Sequence, residues 1–198
     1  MNGAAYLATA AASLGVAVEA RPPRAGGAAW PHARVQRGEA VFALTAWSDR
    51  NGRLQSFTIA LEPGSGPHDP AARLAPSFRD HAARPPVDRY AIELDVADAG
   101  HRRGERWGLD RVWKSGDDAF DARVRVDASA PDAVLAEVLR DPEARAAVRA
   151  LVDVGASVTV TGPELVARLR AGRLPPAEQF AQHFEPIARE LERLRASL

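Results

Sequence analysis

The sequence contains no cysteine among its 198 residues. This absence excludes disulfide bonds, thiol catalysis and the zinc or iron–sulfur sites that use cysteine ligands. The histidines are scattered, and no two of them have the i, i+4 spacing that places two imidazoles on one helix face for zinc. A Gly-x-Ser-x-Gly elbow, a Gly-x-Gly-x-x-Gly turn and a phosphate loop with lysine are also missing. The motifs therefore favour neither a serine hydrolase nor a nucleotide-hydrolysing enzyme, and we predict no cofactor.

An excess of charge of either sign is missing as well. The 26 basic and 26 acidic residues give a formal net charge of zero, so no global field draws the chain toward nucleic acid or anionic lipid. Of the basic residues, Lys114 is the single lysine, which together with the abundant alanine indicates a GC-rich bacterial genome. Apolar residues make up 46% and charged residues 26%, which is typical of a globular domain.

The first 18 residues carry no charged side chain, yet they lack the basic start and strongly apolar centre of a signal peptide. Their alanine-rich composition is also too weakly apolar for a membrane span, which takes about 20 strongly apolar residues. We therefore predict a cytoplasmic protein without a membrane segment.

The N-terminal half predicts a helix followed by a three-stranded meander over residues 1–97. A helix over Ala4–Leu14 ends at Gly15, and a loop rich in proline and glycine follows over residues 21–31. Residues 35–47 have strand composition, Asn51-Gly52 is a strong hairpin signal, and residues 54–61 return as the partner strand. The alternation over Tyr90–Val96 predicts a third strand of this sheet. The connection from Glu62 to Pro86 holds six prolines and is a candidate contact loop.

The C-terminal half, residues 117–198, predicts a strand, two helices, a hairpin and a long helix. Period-two alternation places the start of the strand near Phe120. Helices are predicted to begin at Ser129-Ala130-Pro131-Asp132 and at Asp141-Pro142-Glu143, each with a proline near the first helical position. A strand over residues 154–160 and an arm over residues 165–169 form the hairpin. From Pro175 the pattern is helical to the end, with a kink or a new helix start expected at Pro186.

Together these patterns predict an α+β fold: one or more antiparallel sheets packed by N-terminal, central and long C-terminal helices. The chain is expected to form a single domain over residues 1–198. The alternative is a domain with two linked lobes, residues 1–97 and 117–198. The apolar seam of the last helix has two interpretations, packing on the sheet of its own chain or a homodimer contact. The seam consists of Phe180, Phe184, Ile187, Leu191, Leu194 and Leu198.

Two clusters are candidates for chemistry. Asp117, Asp118 and Asp121 could hold a hard cation such as magnesium, or they could form a turn whose carboxylates cap backbone groups. The second cluster, a basic patch with tryptophans, could bind phosphate, a carboxylate or a stacked base. Its alternative is a solvated connection whose tryptophans dock on the core. The predicted binding residues of this patch, which lies between His101 and Lys114, are Arg102, Arg103, Arg106, Trp107, Arg111 and Trp113.

The unit Gly116-Asp117-x-x-Phe120-Asp121, followed by a helix and strand pair, resembles a group of uncharacterised bacterial proteins that carry a similar Gly-Asp-x-x-Phe-Asp unit. Members of that group are often attached to membrane segments, and membership implies a domain rather than an activity. The predicted element order is also similar to that of the type III secretion chaperones, which bind unfolded stretches of effectors as dimers. That similarity implies a protein-binding role by analogy.

We therefore predict a non-enzymatic bacterial module that binds or regulates proteins, chaperone-like or an adaptor, with a protein partner and a homodimer through the last helix or the sheet. Nucleic acid and membrane are not expected partners. The alternative is an enzyme or a domain that binds a metal or small ligand, built from Asp117, Asp118 and Asp121 with nearby arginines. A pocket joining these carboxylates to His101 or Arg106 would favour that alternative.

Overall fold

A computed structural model describes residues 2–21, 30–62, 91–97, 113–128, 130, 132–161 and 164–198. The helices of these residues are α1 (Gly3–Ser13), α2 (Asp118–Asp121), α3 (Asp132–Val138), α4 (Pro142–Asp153) and α5 (Phe180–Ser197). The strands are β1 (Val18–Arg21), β2 (Trp30–Arg37), β3 (Ala40–Ser48), β4 (Leu54–Leu61), β5 (Ala91–Val96), β6 (Val124–Ala128), β7 (Ala156–Thr161) and β8 (Glu164–Arg170). Two 3₁₀ turns, Ala171–Arg173 and Ala177–Gln179, connect β8 to α5. The predicted α+β class is confirmed.

The eight strands form one sheet in the order β1-β2-β3-β4-β8-β7-β5-β6, and all neighbouring strands are antiparallel. The pairing of β4 with β8 joins strands from the two halves of the chain. The prediction that Tyr90–Val96 is the third strand of an N-terminal meander is wrong, because β5 lies between β7 and β6 rather than beside β4. Alternation along a strand identifies its buried face but carries no information about which strand pairs with it.

The predicted N-terminal helix and the Asn51-Gly52 hairpin are confirmed, but the single strand predicted over residues 35–47 is in fact parts of two strands. Gly38 has a φ of +58°, a backbone conformation that favours glycine, and it turns the chain between β2 and β3. The loop predicted over residues 21–31 also overlaps the end of β1 and the start of β2. Strand composition continues across the turn, which is why the pattern did not separate the two strands.

The strand predicted to begin near Phe120 starts later, at Val124. Residues 118–121 form instead the single helical turn α2, in which Phe120 is fully buried. Asp117 is the N-cap of this turn, so its side chain favours a helical start where the alternation suggested an extended chain.

The core lies on one face of the sheet. Directly paired residues point to the same face, so each row of buried side chains crosses several strands. One such row comprises Leu44, Ile59, Ala167, Val158, Leu94 and Val126. Helices α1 and α5 cover this face through aromatic contacts: Tyr6 lies 5.3 Å from Phe57, and Phe42 lies 5.4 Å from Phe184, between ring centroids. Burial of these rings supplies much of the hydrophobic stabilisation of the N-terminal part of the sheet.

The seam of α5 packs on the chain's own sheet. Phe180, Phe184 and Leu191 are fully buried, and the helix is continuous across Pro186, so the predicted fresh helix start is wrong. Because this surface is used internally, a homodimer through the seam would require α5 to leave the sheet; a homodimer through the sheet stays a prediction. None of the described helices is long and apolar enough to cross a bilayer.

Candidate functional site

The predicted aspartate cluster forms a capped turn. Asp117 Oδ1 accepts hydrogen bonds from the backbone N–H groups of Ala119 and Phe120, each at 3.1 Å. Asp121 Oδ1 accepts from the backbone N–H and the hydroxyl of Ser115, at 3.0 and 2.9 Å. These contacts fold residues 115–121 onto themselves and use carboxylate oxygens that a metal ion would need. Within the described part of the chain, no group of three or more His, Asp or Glu side chains is arranged to hold a metal ion.

Arg145 ties this turn to the following helices. Its Nε donates to Asp117 Oδ2 at 3.2 Å, and its Nη1 donates to the carbonyls of Leu139 and Arg140 at 2.7 and 2.8 Å. The Phe120 N–H first, and then the Arg145 guanidinium, hold the pKa of Asp117 below its usual value. Arg145 is 17% exposed and bonds to three groups of its own chain, so it acts as a joint between α2 and the α3–α4 connection.

The predicted basic patch lies almost entirely outside the described residues. Arg102, Arg103, Arg106, Trp107 and Arg111 belong to that part of the chain, so their binding role stays a prediction. The one described member of the predicted binding set, Trp113, is half-buried and packs against the hydrophobic core. That position fits the interpretation in which the tryptophan docks on the core.

A different group of arginines comes together at the end of β8. Arg168 and Arg170 lie on β8, and Arg173 lies in the 3₁₀ turn that follows. With Asp95 on β5 and Ser157 on β7 they line a cleft of about 40 Å³, which we call the arginine cleft. A single water molecule needs ~10–15 Å³, so the cleft has room for one small polyatomic group rather than a whole metabolite.

Strand periodicity explains why two of these arginines lie side by side. Leu165, Ala167 and Leu169 of β8 are buried against the helices, so the alternate residues Arg168 and Arg170 project from the opposite face of the sheet. Ser157 pairs with Arg168 in the register of β7 and β8, and this pairing places its hydroxyl on the same face. The cleft therefore depends on the pairing of strands that are distant in sequence.

Arg173 lies close to Gly155, which has no side chain to block it. The glycine has a φ of +87°, and a Cβ built on it would lie 2.7 Å from Arg173 Cδ. A side chain at position 155 would be strained and would also push the Arg173 stem away. The absence of a side chain at this turn thus lets the arginine lie against the backbone that leads into β7.

Positive charge exceeds negative charge among the residues that line the cleft. Arg170 Nη2 donates to Asp95 Oδ2 at 3.0 Å, and Asp95 Oδ1 accepts from the Val96 N–H at 2.7 Å. Among the described residues, the side chains of Arg168 and Arg173 have no ion-pair or hydrogen-bond partner, and both are exposed. Three arginines face one carboxylate, so the lining side chains sum to +2. Such a concave group of guanidinium donors is suited to binding an anion.

The sequence predicted the arm of β8, but these residues were not among the predicted site residues. The pattern Arg168-Leu169-Arg170 inside a predicted strand already places two arginines on one face, and Arg173 follows within one turn. That signal was available from the sequence. The contributions of Asp95 and Ser157 were not, because they depend on the positions of β5 and β7 in the sheet.

No protein-family model matches the chain, and no curated protein matches it. Among solved structures, the chain is similar to the crystal structure of the mycobacterial trehalose monomycolate transport factor A, TtfA, with a TM-score of 0.50. The similarity covers 99% of this chain and 93% of that chain at 10% sequence identity. An identity this low supports a common fold and carries no residue-level correspondence.

Proposed function

We propose that this chain is a non-enzymatic protein-binding module, chaperone-like or an adaptor, that serves a transport or secretion assembly in a bacterial cytoplasm. In this proposal the arginine cleft receives an anionic segment of the partner protein. The observation that carries the proposal is the group of three exposed arginines that face a single carboxylate in a concave site.

Two properties of the cleft support a protein contact. Arginine is enriched in protein interfaces because its planar guanidinium forms several directed hydrogen bonds and is weakly hydrated. Val154, which is 47% exposed, immediately precedes Gly155 and adds an apolar contact beside the charged groups. The chain as a whole is neutral, so attraction for an anionic partner would be confined to this region rather than spread over the surface.

The similarity to TtfA supports the assignment to transport. That protein is described as a transport factor, and its fold matches almost the whole length of this chain. The resemblance to the type III secretion chaperones was based on the predicted element order, in which Tyr90–Val96 completed a three-stranded meander. The structure places β5 between β7 and β6 instead. The proposal therefore rests on the cleft and on this fold, and not on the chaperone resemblance.

The alternative built on Asp117, Asp118 and Asp121 receives less support. Oxygens of Asp117 and Asp121 already accept hydrogen bonds from backbone, serine and arginine donors of the same chain. A metal ion at this turn would have to share those oxygens with the donors that already bind them. The arginine cleft needs no such rearrangement.

Site-specific photo-crosslinking in the cells that make the protein tests the proposal. A photoreactive amino acid at Val154, beside the cleft, is expected to give a protein adduct of one discrete mass. The matched control is Val18, which is 39% exposed and lies on β1 at one edge of the sheet. Five strand spacings separate β1 from β7, roughly 24 Å, so the control probe samples a different surface.

The charge of the cleft is tested in the same experiment by adding the double substitution Arg168→Glu and Arg170→Glu. We expect the adduct formed from position 154 to disappear, because two of the three groups that attract the anionic segment are reversed in sign. The same adduct from positions 154 and 18, or an adduct that persists in the double variant, would contradict the proposal.

A further inference from the structure

The charge of the arginine cleft indicates which anionic group it takes. Arg168, Arg170, Arg173 and Asp95 sum to +2, because three positive side chains face one negative one. A carboxylate brings one negative charge, whereas a phosphate monoester carries about −1.5 to −2 at pH 7. We propose that the cleft binds a phosphate group in its dianionic form, either as the free ion or as a monoester carried by the partner. This inference rests on the proposed function, since it names the chemistry of the group that the same cleft receives.

The positions of the donors favour a tetrahedral anion over a planar one. A carboxylate pairs well with one guanidinium, and Asp95 already occupies that role for Arg170 at 3.0 Å. The two remaining guanidinium groups come from different elements, Arg168 from β8 and Arg173 from the 3₁₀ turn. Three acceptor oxygens of a phosphate can be shared among donors that approach from such different directions.

Side chains rather than backbone groups would supply the hydrogen bonds. The N–H of Gly155 already donates to the Val152 carbonyl at 3.0 Å, so this turn does not offer that group to a ligand. The Ser157 hydroxyl makes only a long contact of 3.5 Å with the Arg168 carbonyl and can turn toward a bound anion. Two exposed guanidinium groups, a third that is shared with Asp95, and one hydroxyl thus form the donor set.

The volume of the cleft limits the ligand to its anionic group. About 40 Å³ accommodates a small polyatomic anion, while the remainder of a larger ligand would stay outside. Val96, Val152 and Ala156 also line the cleft, so part of its wall is apolar. An apolar wall lowers the local dielectric constant and strengthens the attraction between the guanidinium groups and an anion.

The ionisation of phosphate gives a test that a carboxylate site would fail. Arginines remain charged across the accessible pH range, so the pH dependence of binding should follow the ligand. The second pKa of a phosphate monoester is about 6, so the dianion fraction, and with it the affinity, should rise about tenfold between about pH 5 and about pH 7.5. Sulfate is a dianion throughout this range and should bind with little change.

The experiment is a titration of the full-length protein with inorganic phosphate, O-phosphoserine, sulfate and acetate, followed by ¹H–¹⁵N NMR at constant ionic strength. We expect saturable binding of both phosphates and of sulfate, with acetate at least about tenfold weaker. Binding of inorganic phosphate with no binding of O-phosphoserine would identify the free ion as the source, and equal or tighter binding of O-phosphoserine would identify a monoester. Both of these results support phosphate as the ligand of the cleft, but the free ion would contradict the proposed function, in which the cleft receives a segment of the partner.

Variants locate the bound anion. The double variant Arg168→Gln and Arg173→Gln should lose phosphate affinity by about tenfold or more, because two charge-assisted contacts are removed. Arg189→Gln on α5 is the control. Arg189 is exposed on the helix side of the sheet, so the substitution removes an arginine charge at a distance from the cleft. Unchanged affinity in the double variant, acetate binding as tight as phosphate, or an absence of saturable phosphate binding would overturn the inference. The two proposals can fail separately. Tight acetate binding would contradict the phosphate inference but not the proposed function. A crosslinked adduct that persists when Arg168 and Arg170 are replaced by glutamate would contradict the proposed function, whichever anion the cleft prefers.

Discussion

Two arginine–aspartate clusters in this protein use the same side chains for opposite purposes. In the α2 turn, Arg145 is 17% exposed and donates to Asp117 and to two backbone carbonyls, so its donors are directed at its own chain. In the arginine cleft, Arg170 is 77% exposed and pairs with Asp95, while Arg168 and Arg173 line the cleft without a side-chain partner among the described residues. The comparison teaches that arginine content alone does not identify a binding site. What distinguishes the two clusters is whether the donors are already used within the fold.

The largest expected effect on stability is that of Arg145→Ala. The substitution leaves the carbonyls of Leu139 and Arg140 and one oxygen of Asp117 without their donor, so we expect the free energy of unfolding to fall by about 2–3 kcal/mol. Alanine keeps the helical propensity of α4, which isolates the loss of the contacts. Urea unfolding followed by circular dichroism measures the effect.

The matched control for that change is Arg168→Ala, which removes the same side-chain type from the cleft. It should change the free energy of unfolding by no more than about 0.5 kcal/mol, as for other exposed positions. If the two variants were destabilised equally, the contrast between a structural and a binding arginine would fail.

Gly155→Ala should have the next largest effect. A residue with a side chain in the left-handed region costs about 1–2 kcal/mol, and Gly155 has a φ of +87°. Gly38→Ala carries the same kind of backbone cost at a φ of +58°, but a Cβ there would contact nothing within 4 Å. Because the backbone cost is shared, the two variants should have similar unfolding free energies. Anion affinity should fall only in Gly155→Ala, where the new Cβ displaces Arg173. Equal anion affinity in both variants would show that Arg173 need not lie against Gly155.

Tyr6→Phe tests a second side chain that, like Arg145, donates a hydrogen bond to a backbone carbonyl, but without a charge. The Tyr6 hydroxyl donates to the Pro175 carbonyl at 3.1 Å inside the core, and its loss should cost about 1 kcal/mol. Burial, with a smaller contribution from Glu178, raises the pKa of Tyr6 to about 12 from 10.0. Its contribution to stability is therefore full below pH 10 and is lost as the pH rises through 12. Unfolding measured across this range should show an alkaline decline in the wild type that is weaker in Tyr6→Phe; parallel curves would contradict the assignment.

Asp117→Asn should have the smallest effect at neutral pH, because asparagine is also a good N-cap. The lowered pKa of Asp117 stabilises the fold above the usual value of 3.8, and this contribution is lost as the pH falls through the lower pKa of the folded state. The stability difference between wild type and Asp117→Asn should thus shrink below pH 3.8. Acid unfolding curves of the two proteins test this, and a difference that grows in acid would have the wrong sign.

The sequence predicted the elements of the fold better than their arrangement. The Asn51-Gly52 turn, the helix start at Asp132, the N-cap Asp141 and the apolar seam of α5 are local patterns, and each specified its helix or hairpin. The position of β5 beside β6 and β7 depends on contacts between distant residues, which periodicity does not contain. The start of the strand was wrongly placed near Phe120, because the alternation over residues 121–127 belongs to a strand for only part of its length. The capping turn at Asp117 was one of the two interpretations of the aspartate cluster.

The same limit applies to the candidate site. Arg168 and Arg170 could have been placed on one face from the alternation of β8. Asp95, Ser157 and Gly155 reach the cleft through strand pairing and one turn, and no spacing in the sequence connects them. The turn at Asp117 is the opposite case, because its contacts with Ser115 and Phe120 are local.

The most direct test of the contrast between the two clusters is a ¹H–¹⁵N NMR spectrum of the arginine Nε–H groups during titration with phosphate. Single-arginine variants would assign the resonances. We predict that the Nε–H signals of Arg168, Arg170 and Arg173 shift and saturate together, while that of Arg145 stays in place because it is held by Asp117. Equal shifts in all arginines, or a shift of Arg145 without the cleft arginines, would contradict the account.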